Sequence, residues 1–233
     1  LFSYEDRKLI EKSGLLITDG NDWRFLHNNF REYYAAKYLS EQNQEFVIKT
    51  IACESGIKPY WVNVLGFLTG FELDWDLKNW LIEKETAALV KYSSKQLDSS
   101  IRFSVFKHLF EKYENMHIHF HEDLCTEQEL SDFADSRKVL KYLIDRIKNP
   151  RNWVSQYTAL NLLMFCPDFY GKEAEIQNIL LKCCEENANS NKMICRLAMM
   201  TLGTLKGNER VIATKLMEIF ENINEDYIRL GMY

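Results

Sequence analysis

The stretch LLITDGNDWRFLHNNFREYYAAKYL, residues Leu15 to Leu39, decides how this chain starts to fold. LLIT and WRFL are short apolar runs on either side of a turn containing Asp19-Gly20, a pattern that predicts a β-hairpin. Asn29, with Glu32 three residues later, has the form of an N-cap pair opening a helix. On that helix Phe30, Tyr34 and Tyr38 recur every four residues, with Tyr33 beside them, so the spacing predicts an aromatic core stripe. His27 lies at the junction of hairpin and helix. Upstream, SYEDRKLIEKSG reads as a helix with Leu9 and Ile10 inward and Gly14 as its stop. Helix, hairpin and helix in that order form the end of a winged-helix domain.

From Gln42 the helical period takes over. Pro59 suits a first helical turn and is followed by Trp61, Val64, Leu65, Leu68 and Phe71 on one face. LKNWLIEKETAALVKY continues with Leu77, Trp80 and Leu81. A cadence then emerges in DSSIRFSVFKHLF, RNWVSQYTALNLLMF, NKMICRLAMMTLGTL and NEDYIRLGMY. Each begins polar, passes through Ile or Val and becomes an apolar helix; Arg102, Arg196 and Arg229 recur near the start of three. Second helices fall near 127–148, 172–187 and 208–222, and the units start roughly 35 to 50 residues apart, as HEAT-type helix pairs do. Such pairs bury their apolar faces only by stacking on neighbours. The expected fold is all-α: an α-solenoid of HEAT-like helical pairs preceded by a small winged-helix remnant with one β-hairpin. Residues 1–41 form the winged-helix part and 42–233 the repeat domain. An opening without Met and an end inside a further repeat predict a piece of a longer protein.

Composition narrows the function classes. Hydrophobic residues make up 46% and aromatics 13% of the 233 residues, enough for a sizeable core. The net charge of −5 argues against a dominant nucleic-acid face. Six cysteines at 53, 125, 166, 183, 184 and 195 show no repeated C-x-x-C pairs and read as reduced thiols in a cytoplasmic protein. The longest strongly apolar run, WVNVLGFLTGF, is too short to span a bilayer, so no membrane partner is expected.

Little in the chain carries chemistry by itself. In HIHFHED, His117, His119 and His121 alternate before Glu122 and Asp123, and an extended backbone would turn all three imidazoles to one side. Without a distant partner of fixed spacing they are weak metal candidates, and the expectation is a polar loop with no metal. No phosphate-cradling loop, nucleophile elbow or H-E-x-x-H helix occurs, so no catalytic residue is assigned and no enzyme is expected in this chain. The winged-helix shape raises DNA binding, but Glu5, Asp6, Arg7, Lys8, Glu11 and Lys12 of the first helix nearly cancel in charge.

Residues 13–39 resemble the end of the winged-helix region in NACHT-type STAND NTPases, the class that includes NOD-like receptors. The matching run places Phe25, His27, Phe30, Glu32, Tyr33, Ala35, Ala36, Tyr38 and Leu39 in the family's F-x-H-x-x-F-x-E-[FY]-x-A-A-x-[FY]-L pattern, with Arg31 where Gln is common. The resemblance implies that His27 points to a nucleotide held by an upstream NTPase module and hydrogen-bonds the β-phosphate of ADP. It implies ADP or ATP with Mg in the parent protein, none in this chain. It also implies a protein trigger read by the repeats and homo-oligomerisation of the parent, in antiphage defence or innate immune signalling. A helical-repeat interaction scaffold without nucleotide switching, and a DNA-binding regulator, remain the alternatives.

Overall fold

The computed structural model describes residues 12–19, 22–54, 56–93, 97–118, 125–205 and 209–221, together with Glu5, Lys8 and Leu9. They belong to two compact units, Leu1–Leu97 and Asp98–Tyr233, each with its own apolar core. The chain is mostly helical, as its periodicity predicts.

In the first unit the expected hairpin forms from β1 (Leu16–Asp19) and β2 (Asp22–Phe25). The register pairs Leu16 with Phe25 and Asp19 with Asp22, and the Leu26 N–H extends the ladder to the Leu15 carbonyl at 2.9 Å. Gly14 precedes it at φ +68°, the left-handed conformation a helix stop calls for. Leu9, expected inward, is 67% exposed, and Ile10 lies outside the described residues. Helix α1 (Asn28–Ser40) follows, then α2 (Gln44–Ile51), whose Asn43 cap accepts the Phe46 N–H at 2.9 Å. A second, minimal hairpin, without a counterpart in the expected fold, joins β3 (Ala52–Cys53) to β4 (Gly56–Ile57). Two-residue strands are too short for an alternating pattern to register.

Pro59 opens a 3-10 turn, Pro59–Trp61, that runs into α3 (Val62–Leu68), followed by α4 (Trp75–Lys84) and α5 (Thr86–Tyr92). Val64, Leu65 and Leu68 are buried as expected, with Leu77 and Leu81. Helix α1 turns Ala36 and Leu39 inward and packs on α3, so the motif ending near residue 41 lies within this larger unit. Helices α3 and α5 meet at Gly66, where a Cβ would stand 2.6 Å from the Tyr92 carbonyl oxygen; only hydrogen fits there.

The second unit contains α6 (Ser99–Met116), α7 (Glu127–Ala134), α8 (Arg137–Lys148), α9 (Trp153–Met164), α10 (Glu173–Asn187), α11 (Lys192–Thr204) and α12 (Glu209–Glu221). Three segments of the cadence open helices: α6, α9 and α11 each start after a polar cap, supplied by Asp98, Asn152 and Asn191, while the fourth, NEDYIRLGMY, lies outside the described residues. Helix α6 contacts α9 and α9 contacts α11, while α8 contacts α10 and α10 contacts α12; α8 also packs on α9 and α10 on α11, and α7 touches both α6 and α9. Polar side chains link neighbouring helices: Ser131 Oγ of α7 donates to the Leu162 carbonyl of α9 at 3.1 Å, and Gln156 Nε2 of α9 to the Ile147 carbonyl of α8 at 3.0 Å.

The second helix expected over 127–148 is two helices. Asp135 turns extended between them, and the Ser136 side chain accepts the Val139 N–H to cap the restart. Asp135 is held there by the Tyr170 hydroxyl, which donates to it at 2.6 Å. The recurrent arginines are not equivalent: Arg102 donates to the Phe133 carbonyl at 3.2 Å, Arg196 is exposed, and Arg229 lies outside the described residues.

Candidate functional site

His27 occupies the N-cap position of α1, with extended backbone at φ −126° and ψ 140°. The helix therefore starts two residues earlier than the expected Asn29 cap, and the His27 side chain makes no capping hydrogen bond. It is exposed, its ring centroid 6.2 Å from that of Phe30. The hairpin end and the first turn of α1 hold its backbone, while the imidazole faces outward with its N–H available to an external acceptor.

Around it the aromatic stripe differs from the expected core. Tyr33, Tyr34 and Tyr38 are 40%, 44% and 56% exposed, and Leu26 and Phe46 are similarly open. The rings pack on each other at the surface: Phe25 stacks on Tyr34 at 5.8 Å, and Tyr33 meets Phe67 edge-on at 5.9 Å. Tyr38 meets Phe46 edge-on at 6.2 Å. The expected core stripe is therefore overturned: the inward face carries Glu32, Ala36 and Leu39, on the side of the helix roughly opposite Phe30, Tyr34 and Tyr38. Glu32 is not a helix cap. It is buried, and its Oε1 accepts the Asn63 Nδ2 from α3 at 3.1 Å, which fixes α1 against its neighbour.

The alternating histidines are only partly described. His117 ends α6 in the left-handed conformation at φ 55° and is exposed, whereas His119, His121, Glu122 and Asp123 lie outside the described residues. Among the described residues no group of three or more His, Cys, Asp or Glu could hold a metal ion. None of the six cysteines forms a disulfide. Cys183, Cys184 and Cys195 are buried at the contact of α10 with α11, where the Cys184 thiol donates to the Cys195 carbonyl at 3.8 Å. Burial pushes the Cys183 and Cys166 thiols up to about 12, so neither is a nucleophile. Among the described residues no helix is long and apolar enough to cross a membrane.

A charged cluster without any local cue in the sequence lies within the second unit. Glu114, almost fully buried near the end of α6, faces Arg146 Nε at 3.7 Å and Arg151 at 3.0 Å. Arg146 also donates to the Tyr142 hydroxyl at 3.2 Å, with its guanidinium 5.0 Å from that ring. Tyr142 and Arg146 are neighbours four apart on α8, but Glu114 lies 37 positions from Arg151 and more than thirty from Arg146, too far for helical spacing to signal. Within it Glu114 Oε1 and Arg146 Nε are buried without a hydrogen-bond partner, while Arg151 reaches the surface.

Comparison with protein-family models, curated proteins and solved structures returned no match to this chain.

Proposed function

We propose that this chain is the regulatory and ligand-sensing portion of a NACHT-type STAND NTPase: the end of the winged-helix domain followed by a HEAT-like solenoid. The observation that carries the reading is His27, exposed at the hairpin–helix junction, without a capping bond and within a motif that resembles that family. Its imidazole donates an N–H to the β-phosphate of ADP held by an upstream module, and the phosphate charge strengthens that bond. The half-exposed shelf of Leu26, Tyr34, Tyr38 and Phe46 is then the surface on which that module rests. Exchange to ATP with Mg withdraws the contact, and the parent protein oligomerises to drive an effector in cytoplasmic defence signalling. The successive contacts of α6 with α9 and α9 with α11, and of α8 with α10 and α10 with α12, support the solenoid half of the reading, whose surface receives a protein trigger.

The test is made in the full-length protein by following release of fluorescent ADP. His27→Ala is expected to speed release by about tenfold, the worth of one charge-assisted hydrogen bond, and to raise basal activity. An unchanged off-rate overturns the phosphate role. A helical-repeat interaction scaffold without nucleotide switching is the second reading, favoured by an apolar groove between α9 and α11.

A further inference from the structure

Cys183 and Cys184 lie near the end of α10 and Cys195 in the first turn of α11, and the two helices pack on each other across the short connection 188–191. All three side chains are buried. Neighbours on a helix point in different directions, and the two cysteines of α10 accordingly meet different partners. The Cys183 sulfur accepts Gln156 Nε2 and Asn187 Nδ2, each at 3.7 Å. The Cys184 thiol instead reaches α11, where it donates to the Cys195 carbonyl at 3.8 Å and hydrogen-bonds the Cys195 sulfur. A buried cysteine without a sulfur neighbour packs as a small, inert hydrophobe, but two sulfurs in contact across a helix pair can also be joined.

The contact makes the two thiols unlike. The hydrogen bond from the Cys184 S–H lowers the Cys195 thiol below its ordinary range, although burial opposes the shift. The same bond, with burial, raises the Cys184 thiol. Cys195 is therefore the sulfur that becomes a thiolate, and Cys184 is the one that keeps its proton beside it. A nucleophilic thiolate with a second thiol in contact is the arrangement that resolves a sulfenic acid into a disulfide.

We infer that Cys184 and Cys195 form a redox-sensitive pair that hydrogen peroxide closes to a disulfide, tying the end of α10 to the start of α11. The Cys195 thiolate attacks one peroxide oxygen, the O–O bond breaks, and the departing hydroxide takes up the proton that the thiol had lost. Cys195 is left as a sulfenic acid. The Cys184 sulfur then attacks the Cys195 sulfur; the S–O bond breaks, and hydroxide leaves as water with the Cys184 proton. Two thiols and one peroxide thus give one disulfide and two waters, with both sulfurs oxidised and the peroxide reduced. Peroxide is small and uncharged, so it reaches the buried pair through local opening of the helix contact. In a reducing compartment the thiols are the resting state, and the disulfide records an oxidising episode by constraining the α10–α11 pair. The pair does not depend on the nucleotide reading of His27.

The test uses the 233-residue chain under native conditions: a pulse of hydrogen peroxide, alkylation of the remaining thiols, and mass mapping after trypsin. Trypsin cuts after Lys182, Lys192 and Arg196, so the pair is recovered as 183–192 joined to 193–196. That species is expected in at least about tenfold excess over any linkage through the exposed Cys53, because the two sulfurs are held in contact. Fragmentation should place the link on Cys184, and dithiothreitol should remove it. Cys183→Ala should leave the link intact, whereas Cys184→Ala should leave Cys195 as a sulfenic acid that dimedone traps. By circular dichroism the oxidised chain should melt at a higher temperature than the reduced chain, a difference that Cys195→Ala abolishes. The mapping of the unsubstituted chain is decisive even where a variant fails to fold. Absence of the linked peptide, a link on Cys183, a link that forms in urea but not in the native chain, or an oxidised chain that melts no higher than the reduced one overturns the proposal.

Discussion

At the scale of single residues, Glu85 shows how one carboxyl group can couple the first unit to pH. It stands between α4 and α5, and its carboxylate oxygens lie over Gly56, where a Cβ would come within 3.0 Å of Oε1. Gly56 takes φ +120° there, a conformation that also excludes a side chain. Burial raises the Glu85 carboxyl above its ordinary 4.5, partly opposed by a hydrogen bond from the Ile57 backbone. A raised carboxyl keeps its proton in the folded state after the unfolded chain has lost it. Stability therefore falls as pH rises from the ordinary value through the raised one, and the full cost is present above it. Glu85→Gln keeps an acceptor for the Ile57 N–H and removes the charge. Thermal melts between about pH 4 and pH 7 should show the variant more stable than the parent at the neutral end and matching it at the acid end. A variant less stable at neutral pH would mean that the Ile57 bond to the charged form outweighs burial.

Among the elements, two asparagine N-caps separate local from tertiary stabilisation. Asn43 and Asn152 both accept a backbone N–H at the start of a helix, at 2.9 and 2.8 Å. Asn152 also reaches a second helix, since its Nδ2 donates to the Glu114 carbonyl of α6 at 3.2 Å. Chemical denaturation should give a loss of about 1 kcal/mol for Asn43→Ala and about 2 kcal/mol for Asn152→Ala, because the latter also leaves a carbonyl of α6 without its partner. Equal losses would mean that solvent satisfies that carbonyl. The polar start before α9 was legible in sequence as a local signal, and so was the hairpin of β1 and β2, whereas the cap expected at Asn29 falls at His27 instead. What was not legible came from further away. Glu32 looked like a capping residue because its partner Asn63 is 31 positions distant. The break at Asp135 depends on Tyr170, and the exposure of Tyr34 and Tyr38 depends on what covers α1, which periodicity does not encode. His27 was singled out by its flanking motif, whereas the α9–α11 groove was missed because its two walls are individually ordinary helices.

For the whole molecule, the division into Leu1–Leu97 and Asp98–Tyr233 bears on how stability is distributed. The second unit buries Val105, Phe106, Leu109 and Phe110 of α6 with Leu140 and Leu143 of α8 and Leu160 and Leu163 of α9, a core drawn from its own helices. Its buried charges are also internal. Glu114 is compensated by Arg146 and Arg151, and Tyr142 packs its ring on Phe106 and Phe110 at 5.9 and 5.3 Å. With core and charge network both internal, 98–233 produced alone should melt cooperatively with helical circular dichroism. Glu114→Ala strands Arg146 beside an empty space with its Nε already lacking a hydrogen bond, and should cost about 3 kcal/mol or more. Because the network is confined to the unit, the loss measured in the isolated unit should equal the loss in the 233-residue chain within about 0.5 kcal/mol. A substantially smaller loss in the isolated unit would mean that its core relaxes without the first 97 residues, and the two units would then have to be treated as one cooperative structure.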